Sequence, residues 1–307
     1  MQIVRRTFTI SYMKIILLYN PTAGNEDFPL AEIISSLEDQ GANVLAQNCK
    51  EEGYQKVLDL TYDLIIIAGG DGTVEKTLLQ LRDTKCPIAI LPYGNANNIA
   101  GSLNLTANYK AIVAQYQKKK FKYLSVGEYK TTEASGWFIE GIGWGIFTAL
   151  LLQIDREKKL PGDENSKVDF GIKNLIKLEA ELPVHSYKVK LDNKDYSGDY
   201  IWIEILNTRR LGPQLELAPD ADHRDAYLDI LMVKESQKDE LRSFLNAQKN
   251  GGQPSPFQTI KAKKIKISTY LPFHVDDELF EHKTLYEETP IVKVSLAKHQ
   301  LKILKND

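Results

Sequence analysis

The chain is poor in cysteine, carries almost no net charge and lacks long apolar runs, and each shortage excludes a class of protein. Cys49 and Cys86 have neither metal-ligand spacing nor the density of a disulfide-stabilised domain. The net charge of −2 offers no strong field for nucleic acid or for an anionic membrane. No apolar run approaches the roughly 18 residues of a membrane span. We therefore expect a cytoplasmic protein that binds no nucleic acid and contacts membranes only locally or transiently.

The length of the chain predicts two domains, because 307 residues exceed one ordinary core. Apolar residues at 43% and charged residues at 26% are typical of a soluble globular protein. Residues 1–12 lack the long apolar segment of a signal peptide and are expected to be an N-terminal extension. We expect a nucleotide-binding α/β domain at 13–122 and a β-rich substrate domain at 123–290, with 291–307 returning to the first domain.

Short apolar runs alternate with helix-like segments up to Lys120. KIILLYN (14–20), DLIIIAGG (63–70) and PIAILPYG (87–94) have the continuous apolar character of buried strands. Segments with apolar residues at helical spacing lie between them, among them EGYQKVLDL (52–60). Strands this apolar, separated by helices, predict a parallel sheet covered on both faces.

Beyond Lys120 the pattern changes to short strands, several of which alternate apolar and polar residues. Two helical segments interrupt them, at 171–182 and 238–250. The polar segment 155–167 is predicted to be a mobile loop. This pattern predicts a mostly antiparallel β-sandwich as the second domain.

The segment Gly69-Gly70-Asp71-Gly72-Thr73 lies directly between a predicted buried strand and a predicted helix. Its glycines allow a tight turn whose backbone N–H groups can approach a polyphosphate. The helix beginning near Thr73 directs its positive dipole end to the same place. The carboxylate of Asp71 is suited to holding Mg²⁺ through water or to bonding a nucleotide hydroxyl. A turn that needs only backbone flexibility is the simpler alternative, which the strand–helix context disfavours.

Two further turns end predicted strands at the same edge of the sheet. LPYGNANNIA (91–100) combines a strand end, Gly94 and a helix start, and NPTAG (20–24) ends the first strand. Ligands of open α/β sheets bind at this edge, so Gly94 and Asn97 are expected to face the glycine-rich turn across a crevice. Taken alone, the asparagines would be helix caps and NPTAG only a turn.

These three segments, in this order, resemble the diacylglycerol kinase-like lipid kinase family, which includes the sphingosine kinases. That family opens with an Asn-Pro-x-Ser-Gly-like turn, continues with GGDGT and then shows Pro-x-Gly-Thr-x-Asn-Asp-x-Ala. FIEGIGWG (138–145) looks like the family's glycine-rich strand, and residues 207–230 look like its Ala-Pro-x-Ala…Asp-Gly-x-Leu-Asp segment. HVDDE (274–278) stands where the family has Asp-Gly-Glu, so the resemblance spans nearly all of residues 14–305.

The resemblance implies a nucleotide site on the first domain. It implies that Gly69–Thr73 bind the ATP phosphates, with Mg²⁺ present, and that Asn20, Gly94 and Asn97 line the crevice. Asp71 would then be one of the catalytic residues at the phosphates.

The resemblance also implies a lipid hydroxyl as the acceptor, in a site between the two domains. Asp276 matches the family's candidate general base, and Glu278 matches the neighbouring glutamate. Phosphoryl transfer needs such a group because it rests on positioning, charge stabilisation and a carboxylate that receives the proton. Without the resemblance, Asp276-Asp277-Glu278 would be interpreted as a solvated acidic turn.

A further match concerns Asp222, Asp225 and Tyr227, whose spacing holds a structural Mg²⁺ in bacterial relatives. Two side chains and a backbone carbonyl would supply the oxygen ligands that Mg²⁺ prefers. An exposed acidic loop before a strand is the alternative reading of the same residues.

Five residues depart from the family pattern, and they leave two alternatives open. They are Lys76, Asn95, Asn98, Ala226 and Asp277. Asn98 lacks the negative charge of the usual aspartate, and Asp277 lacks the freedom of glycine to adopt a positive φ. One alternative is a nucleotide-binding homologue that has lost catalysis. The other is a NAD kinase, suggested by GGDGT, although the glycine-rich Asn-x-Gly-x-Leu-Gly-Phe-Leu segment of those enzymes is missing.

Overall fold

The computed structural model describes residues 12–23, 28–157, 164–249, 252–282 and 289–306. Residues 1–11 of the predicted extension lie outside this part of the chain. So do Gly24 of the NPTAG turn and residues 158–163 of the predicted loop.

The first part of the chain forms a parallel sheet. Its elements are, in chain order, β1 (Met13–Tyr19), α1 (Leu30–Asp39), β2 (Ala42–Asn48), β3 (Leu64–Gly69), α2 (Asp71–Gln80), β4 (Ile88–Pro92), α3 (Asn98–Ser102) and α4 (Ile112–Gln117). β1 pairs in parallel with β2 and β3, and β3 pairs in parallel with β4. Alternate residues of β1 and β3 pack against α2 and α3 on one face and against α1 and α4 on the other. The predicted parallel sheet covered on both faces is confirmed.

One predicted helix of this part has the wrong type. Residues 52–60 contain a 3-10 helix at Tyr54–Asp59 in which no residue is fully buried. Gly53 before it is left-handed, with φ 74°, and Leu60 after it is extended. A six-residue segment with no fully buried residue has little packing to stabilise an α-helix, and such short connectors favour the 3-10 form.

The second part of the chain is rich in short strands. Its elements are β5 (Phe121–Lys130), β6 (Ser135–Phe138), β7 (Gly141–Gly145), α5 (Ile146–Glu157), α6 (Glu164–Glu181), β8 (His185–Leu191), β9 (Lys194–Asp195), β10 (Gly198–Tyr200), β11 (Trp202–Leu206), β12 (Arg210–Leu211), β13 (Leu215–Glu216), β14 (Leu228–Val233), α7 (Lys238–Gln248), β15 (Ile260–Ala262), β16 (Lys264–Ser268), β17 (Phe273–Val275), β18 (Glu278–Phe280) and β19 (Ile291–Leu304).

Two antiparallel layers of these strands pack face to face. One has the order β15-β14-β11-β7-β17-β18, and the other includes β10-β8-β16-β19. Buried residues of both layers, among them Trp144, Val189, Ile203 and Ile267, fill the space between them. The predicted antiparallel sandwich is confirmed, because the alternating strands place one apolar face against the other.

The strand β19 connects the two parts of the chain. Its first residues pair with β16, nearly its whole length pairs with β5, and Ile303 pairs in parallel with Ile88 of β4. One sheet of eleven strands therefore runs through both parts. The domain limits at residues 122 and 290 stay a prediction, because the sheet itself has no break there.

One predicted helix of the second part is longer than expected. α6 covers the predicted helix at 171–182 as far as Glu181 but begins at Glu164, and α5 reaches Glu157. The polar segment 155–167 is therefore helical at both ends, and the loop prediction is wrong there. α5 itself is absent from the prediction, because packing of Phe147 and Leu150 into a buried cluster decides its conformation. No helix in the described part of the chain has the length and apolar character needed to cross a membrane.

We expect Asn306→Ala to lower the free energy of unfolding by about 1–3 kcal/mol. Asn306 is fully buried, donates from Nδ2 to the backbone O of Ile90 at 2.8 Å and accepts the N–H of Thr106 at 3.1 Å. Without the side chain, the backbone O of the buried Ile90 and the N–H of Thr106 lose these partners. Urea unfolding measures the loss, and Lys305→Ala is a control that should change it by less than about 0.5 kcal/mol. Equal losses in the two variants would contradict the expectation.

Candidate active site

The two glycine-containing turns contact each other. β3 ends at Gly69 and α2 begins at Asp71, two residues before the predicted helix start. A Cβ atom added to Gly94 would lie 2.4 Å from the Cα atom of Gly70. The two backbones can therefore meet only because neither residue has a side chain.

Asparagine side chains hold these turns in place. Nδ2 of Asn20 donates to Oγ1 of Thr73 at 3.0 Å, and its Oδ1 accepts the N–H of Thr22 at 3.1 Å. Asn97 is left-handed, with φ 46°, and its Oδ1 accepts the N–H of Gly94 at 3.0 Å. The structure thus brings all the predicted nucleotide-site residues together at one edge of the sheet.

A cavity of about 430 Å³ lies at this edge and is lined by the predicted turns. Three lysines, Lys50, Lys76 and Lys167, also line it and supply the positive charge that a polyphosphate attracts. Lys50 follows β2, whose carboxyl end lies beside that of β1, so the sheet-edge rule could have found it. No sequence signal points to Lys167, because it comes from α6 in the second part.

Asp71 connects the two turns. Its Oδ1 accepts the backbone N–H of Ile99 at 3.2 Å, in the first turn of α3. Burial raises the pKa of Asp71, while the backbone N–H groups of residues 97–99 favour its charged form. The carboxylate of Asp71 therefore links the two turns by a hydrogen bond. Its catalytic role at the phosphates stays a prediction.

Asp276 lies in the turn between β17 and β18 of the second part. The backbone N–H groups of Ile139, Glu140 and Gly141 donate to its carboxylate at 2.9, 2.7 and 3.0 Å. Burial, which is the largest influence, raises the pKa of Asp276 to about 7 against the opposing effect of these three donors. A buried carboxylate with a pKa near neutrality is suited to accepting a proton.

The turn that carries Asp276 also carries a charge, that of Asp277, which influences the pKa of a residue in the first part of the chain. The negative charge of Asp277 contributes to the raised pKa of Asp71. Asp277 and Glu278 are exposed. The left-handed residue of this turn is Asp276, with φ 50°, and Asp277 has no positive φ. Asp277 therefore does not need the positive φ that only glycine adopts easily, and its replacement of the family's glycine causes no backbone strain.

Two buried glutamates beside these residues were not predicted as site residues, although Glu140 lies within the FIEGIGWG segment and Glu75 precedes Lys76. Glu75 on α2 and Glu140 before β7 are each 7% exposed. Burial, followed by the charges of Asp276 and Asp277, raises the pKa of Glu75 to about 9. Burial and the charge of Asp71 raise the pKa of Glu140 well above its ordinary value. Oε1 of Glu140 is buried without a hydrogen-bond partner, which favours a cation or a proton at this place.

Two residues that depart from the family pattern connect the two parts of the chain. Nδ2 of Asn98 donates to the backbone O of Gly212 at 2.8 Å. The backbone O of Asn95 accepts Nε2 of Gln214 at 2.6 Å. An aspartate at position 98 could not donate this bond when ionised, so the bond to Gly212 explains structurally why asparagine stands here.

The predicted structural metal site has its carboxylates already paired with cations. Arg224 donates to both oxygens of Asp222, at 2.9 and 2.8 Å. Nζ of Lys261 lies 2.8 Å from Asp225 and 3.2 Å from Asp229. Tyr227 is 40% exposed. Cations of the chain thus already pair with the predicted ligands. In the described part of the chain no group of three or more His, Cys, Asp or Glu residues is arranged to hold a metal, but the predicted set has only two carboxylates and a backbone carbonyl, so it stays a prediction.

Comparisons with known proteins identify the same architecture. The family model described as the diacylglycerol kinase catalytic domain matches residues 14–129. The model described as the YegS C-terminal NAD kinase beta sandwich-like domain matches residues 161–286.

Individual relatives extend over most of the chain. The diacylglycerol kinase of Staphylococcus haemolyticus is 24% identical over 276 residues, covering 85% of this chain and 81% of that protein. The diacylglycerol kinase of Bacillus subtilis is 22% identical and covers 85% of this chain and 88% of its own length. A crystal structure of a diacylglycerol kinase from Bacillus anthracis has a TM-score of 0.65 at 19% identity, covering 96% of this chain and 97% of that one. At this identity, the structural likeness shows the fold alone.

We expect Gly94→Ala to destabilise the protein by about 1–3 kcal/mol. The added methyl group would meet the backbone of Gly70 at 2.4 Å and force the two turns apart. Gly72→Ala is the matched control, because a Cβ atom on Gly72 has nothing within 4 Å. Thermal unfolding of both variants checks the expectation, which fails if Gly94→Ala melts with the control.

The loop at Asp222–Asp229 should be stabilised by Lys261 rather than by a metal. We expect Lys261→Met to cost about 1–2 kcal/mol, because Asp225 and the buried Asp229 both lose their cation. Lys264→Met, an exposed neighbour, should have little effect. Melting of the wild type should be unchanged by Mg²⁺ or by a chelator. A higher melting temperature in Mg²⁺ that Asp225→Asn abolishes would restore the metal site.

Proposed function

The chain belongs to the diacylglycerol kinase catalytic domain family, and from this premise we propose that it transfers the γ-phosphoryl group of ATP to a hydroxyl group of a diacylglycerol-like lipid. The observation that supports this most is the environment of Asp276. Its buried carboxylate accepts hydrogen bonds from three backbone N–H groups, and its charge raises the pKa of Glu75 on α2. We propose that the protein works in the cytoplasm and meets its lipid through transient contact with a membrane surface.

We propose that the ATP phosphates lie against the Gly69–Thr73 turn. The first N–H groups of a helix have no i−4 partner within the helix, so those of Asp71 and Gly72 can donate to phosphate oxygens, whereas the N–H of Thr73 already donates to the O of Gly70. Lys50 and Lys76 line the same cavity and would pair with the phosphate charges. Asn20 and Asn97 keep the two turns in shape for this contact.

Mg²⁺ bound with ATP would neutralise the charge on the phosphate oxygens. The residues near Asp71 fit such an ion through water rather than as a closed set of ligands, because the described carboxylates do not converge on one point but the buried Oε1 of Glu140 has no partner. Glu140 and Asp71 would hold the ion through water molecules, since Mg²⁺ usually keeps several of its waters.

In the proposed reaction, Asp276 is the general base. The hydroxyl group of the lipid gives its proton to the carboxylate as its oxygen forms a bond to the γ-phosphorus. The bond between this phosphorus and the bridging oxygen of ADP breaks, and ADP leaves with the electron pair. Glu278 lies beside the base on the exposed side of the turn and would influence the reaction through its charge.

A lipid phosphorylation assay tests this proposal. Purified protein with radiolabelled ATP, Mg²⁺ and mixed micelles of diacylglycerol should yield a labelled lipid. Asp276→Asn should abolish turnover while the dissociation constant for ATP stays within a few-fold, because Asp276 lies outside the nucleotide cavity. Asp71→Ala should lower turnover and raise the dissociation constant for ATP, because the hydrogen bond that joins the two turns is lost.

The remaining outcomes separate the alternatives. Loss of ATP binding in Asp276→Asn would make that residue structural rather than catalytic. A wild type that binds ATP but labels no lipid would favour a homologue without catalysis. Phosphorylation of NAD in a parallel reaction would favour a NAD kinase instead.

The rate of lipid phosphorylation should rise with pH through about 7, because Asp276 must lose its proton to act as a base. Asp277→Asn removes a negative charge that raises the pKa of Asp276, so the midpoint should move to lower pH. Asp59→Asn, an exposed carboxylate on the 3-10 helix, should leave the midpoint in place. Measurement of kcat against pH decides this, and an upward shift in Asp277→Asn would contradict it.

A further inference from the structure

A row of three residues crosses the strands behind the Asp276 turn. Glu204 of β11 and His274 of β17 are both cross-strand partners of Gly143 on β7, which lies between them. Directly opposed side chains share a face of a sheet, so Glu204 and His274 point the same way on either side of a glycine. A Cβ atom on Gly143 would lie 2.3 Å from Oε2 of Glu204. The carboxyl group therefore occupies the space above the glycine.

In this space the glutamate meets the imidazole ring. Nε2 of His274 lies 3.2 Å from Oε2 of Glu204, and Nε1 of Trp202 donates to the same oxygen at 3.1 Å. Nδ1 of His274 lies 3.1 Å from the backbone O of Asp276. Glu204 and His274 are completely buried, so no solvent competes for these bonds.

The partners determine where the protons lie. A backbone oxygen only accepts, so Nδ1 of His274 carries a proton. Burial lowers the pKa of His274 to about 3 and raises that of Glu204 well above its ordinary value, and both shifts favour the neutral forms. Nε2 of His274 then has no proton and accepts one from the Glu204 hydroxyl. The hydrogen bonds therefore run in one direction, from Trp202 to the carbonyl of Asp276.

We propose that His274 and Glu204 are positioning residues that hold the backbone of Asp276 in its left-handed conformation. A residue with a side chain resists φ 50°, so this conformation needs bonds from outside the turn. The N–H of Asp276 donates to the O of Gly141 at 2.8 Å, and His274 binds the carbonyl on the other side of the residue. With both ends fixed, the carboxylate stays against its three N–H donors. The inference extends the proposed role of Asp276 as the base and rests on it.

Two matched substitutions of His274 separate positioning from simple packing. The amide nitrogen of asparagine falls near the place of Nδ1, and that of glutamine falls near the place of Nε2. His274→Asn can therefore keep the bond to Asp276, whereas His274→Gln can keep only the bond to Glu204. Both lose the edge-to-face contact with Phe147, at 4.8 Å between ring centroids, so both should melt at similarly lowered temperatures.

We expect His274→Gln to lower kcat at least about tenfold, with KM for ATP nearly unchanged, and His274→Asn to stay within about threefold of the wild type. Glu204→Gln can still donate to Nε2 of His274 and should resemble His274→Asn. Glu204→Leu fills the same space without a donor and should resemble His274→Gln. Equal losses of kcat in His274→Asn and His274→Gln, in step with their melting temperatures, would overturn the inference.

Backbone amide hydrogen exchange tests the same inference without a substrate. The N–H groups of Ile139, Glu140 and Gly141 are protected by the carboxylate of Asp276. Their exchange should accelerate at least about tenfold in His274→Gln and remain near the wild-type rate in His274→Asn. Unchanged exchange in His274→Gln would overturn the positioning role. A wild type that labels no lipid would count against the proposed function alone, because this readout does not depend on turnover.

Discussion

The backbone hydrogen bonds of β19 are the constraint on which the arrangement of the candidate active site depends. This strand of 14 residues pairs with β16 of the sandwich and, near its end, with β4 of the parallel sheet. A strand hydrogen-bonded to both the sandwich and the parallel sheet leaves these two parts little freedom to rotate against each other. The turn after β4 carries Gly94, and the turn after β17 carries Asp276. β19 pairs with β4 directly and packs against β17 within the sandwich, so it connects both parts of the candidate active site.

Burial of negative charge is the main electrostatic cost of the candidate active site, and each carboxylate is compensated to a different extent. Removing a carboxylate from water costs several kcal/mol, and a hydrogen bond to a charged group returns about 1.5–3 kcal/mol. Three N–H donors therefore offset only part of the burial of Asp276, which still raises its pKa to about 7. Asp71 is relieved by the amides of α3, whereas the buried Oε1 of Glu140 has no such partner. The uncompensated group is thus the one that fits an incoming cation.

Most of the first part could be predicted from the sequence, because its signals are local. Continuous apolar runs ending in glycine specify parallel strands, and the ends of such strands share an edge, so Asn20, Gly94 and Asn97 could be placed beside the GGDGT turn. The 3-10 helix at Tyr54–Asp59 and the helices around residues 155–167 were harder. Their conformation depends on length between turns and on packing against distant strands, which periodicity does not report.

By itself, the sequence determined the parallel sheet, the antiparallel sandwich that follows it and the glycine turns, since these follow from residue type and spacing. Asp276 became a candidate only through the resemblance to the lipid kinase family. Only the tertiary structure decided the environment that gives those residues their chemistry. The contact of Gly70 with Gly94 and the row of Glu204, Gly143 and His274 join residues far apart in the chain. The pairing of Lys261 with Asp225 likewise arises only when separate strands meet. Such contacts leave no periodic trace in a single sequence, because each depends on which strands become neighbours and in which register.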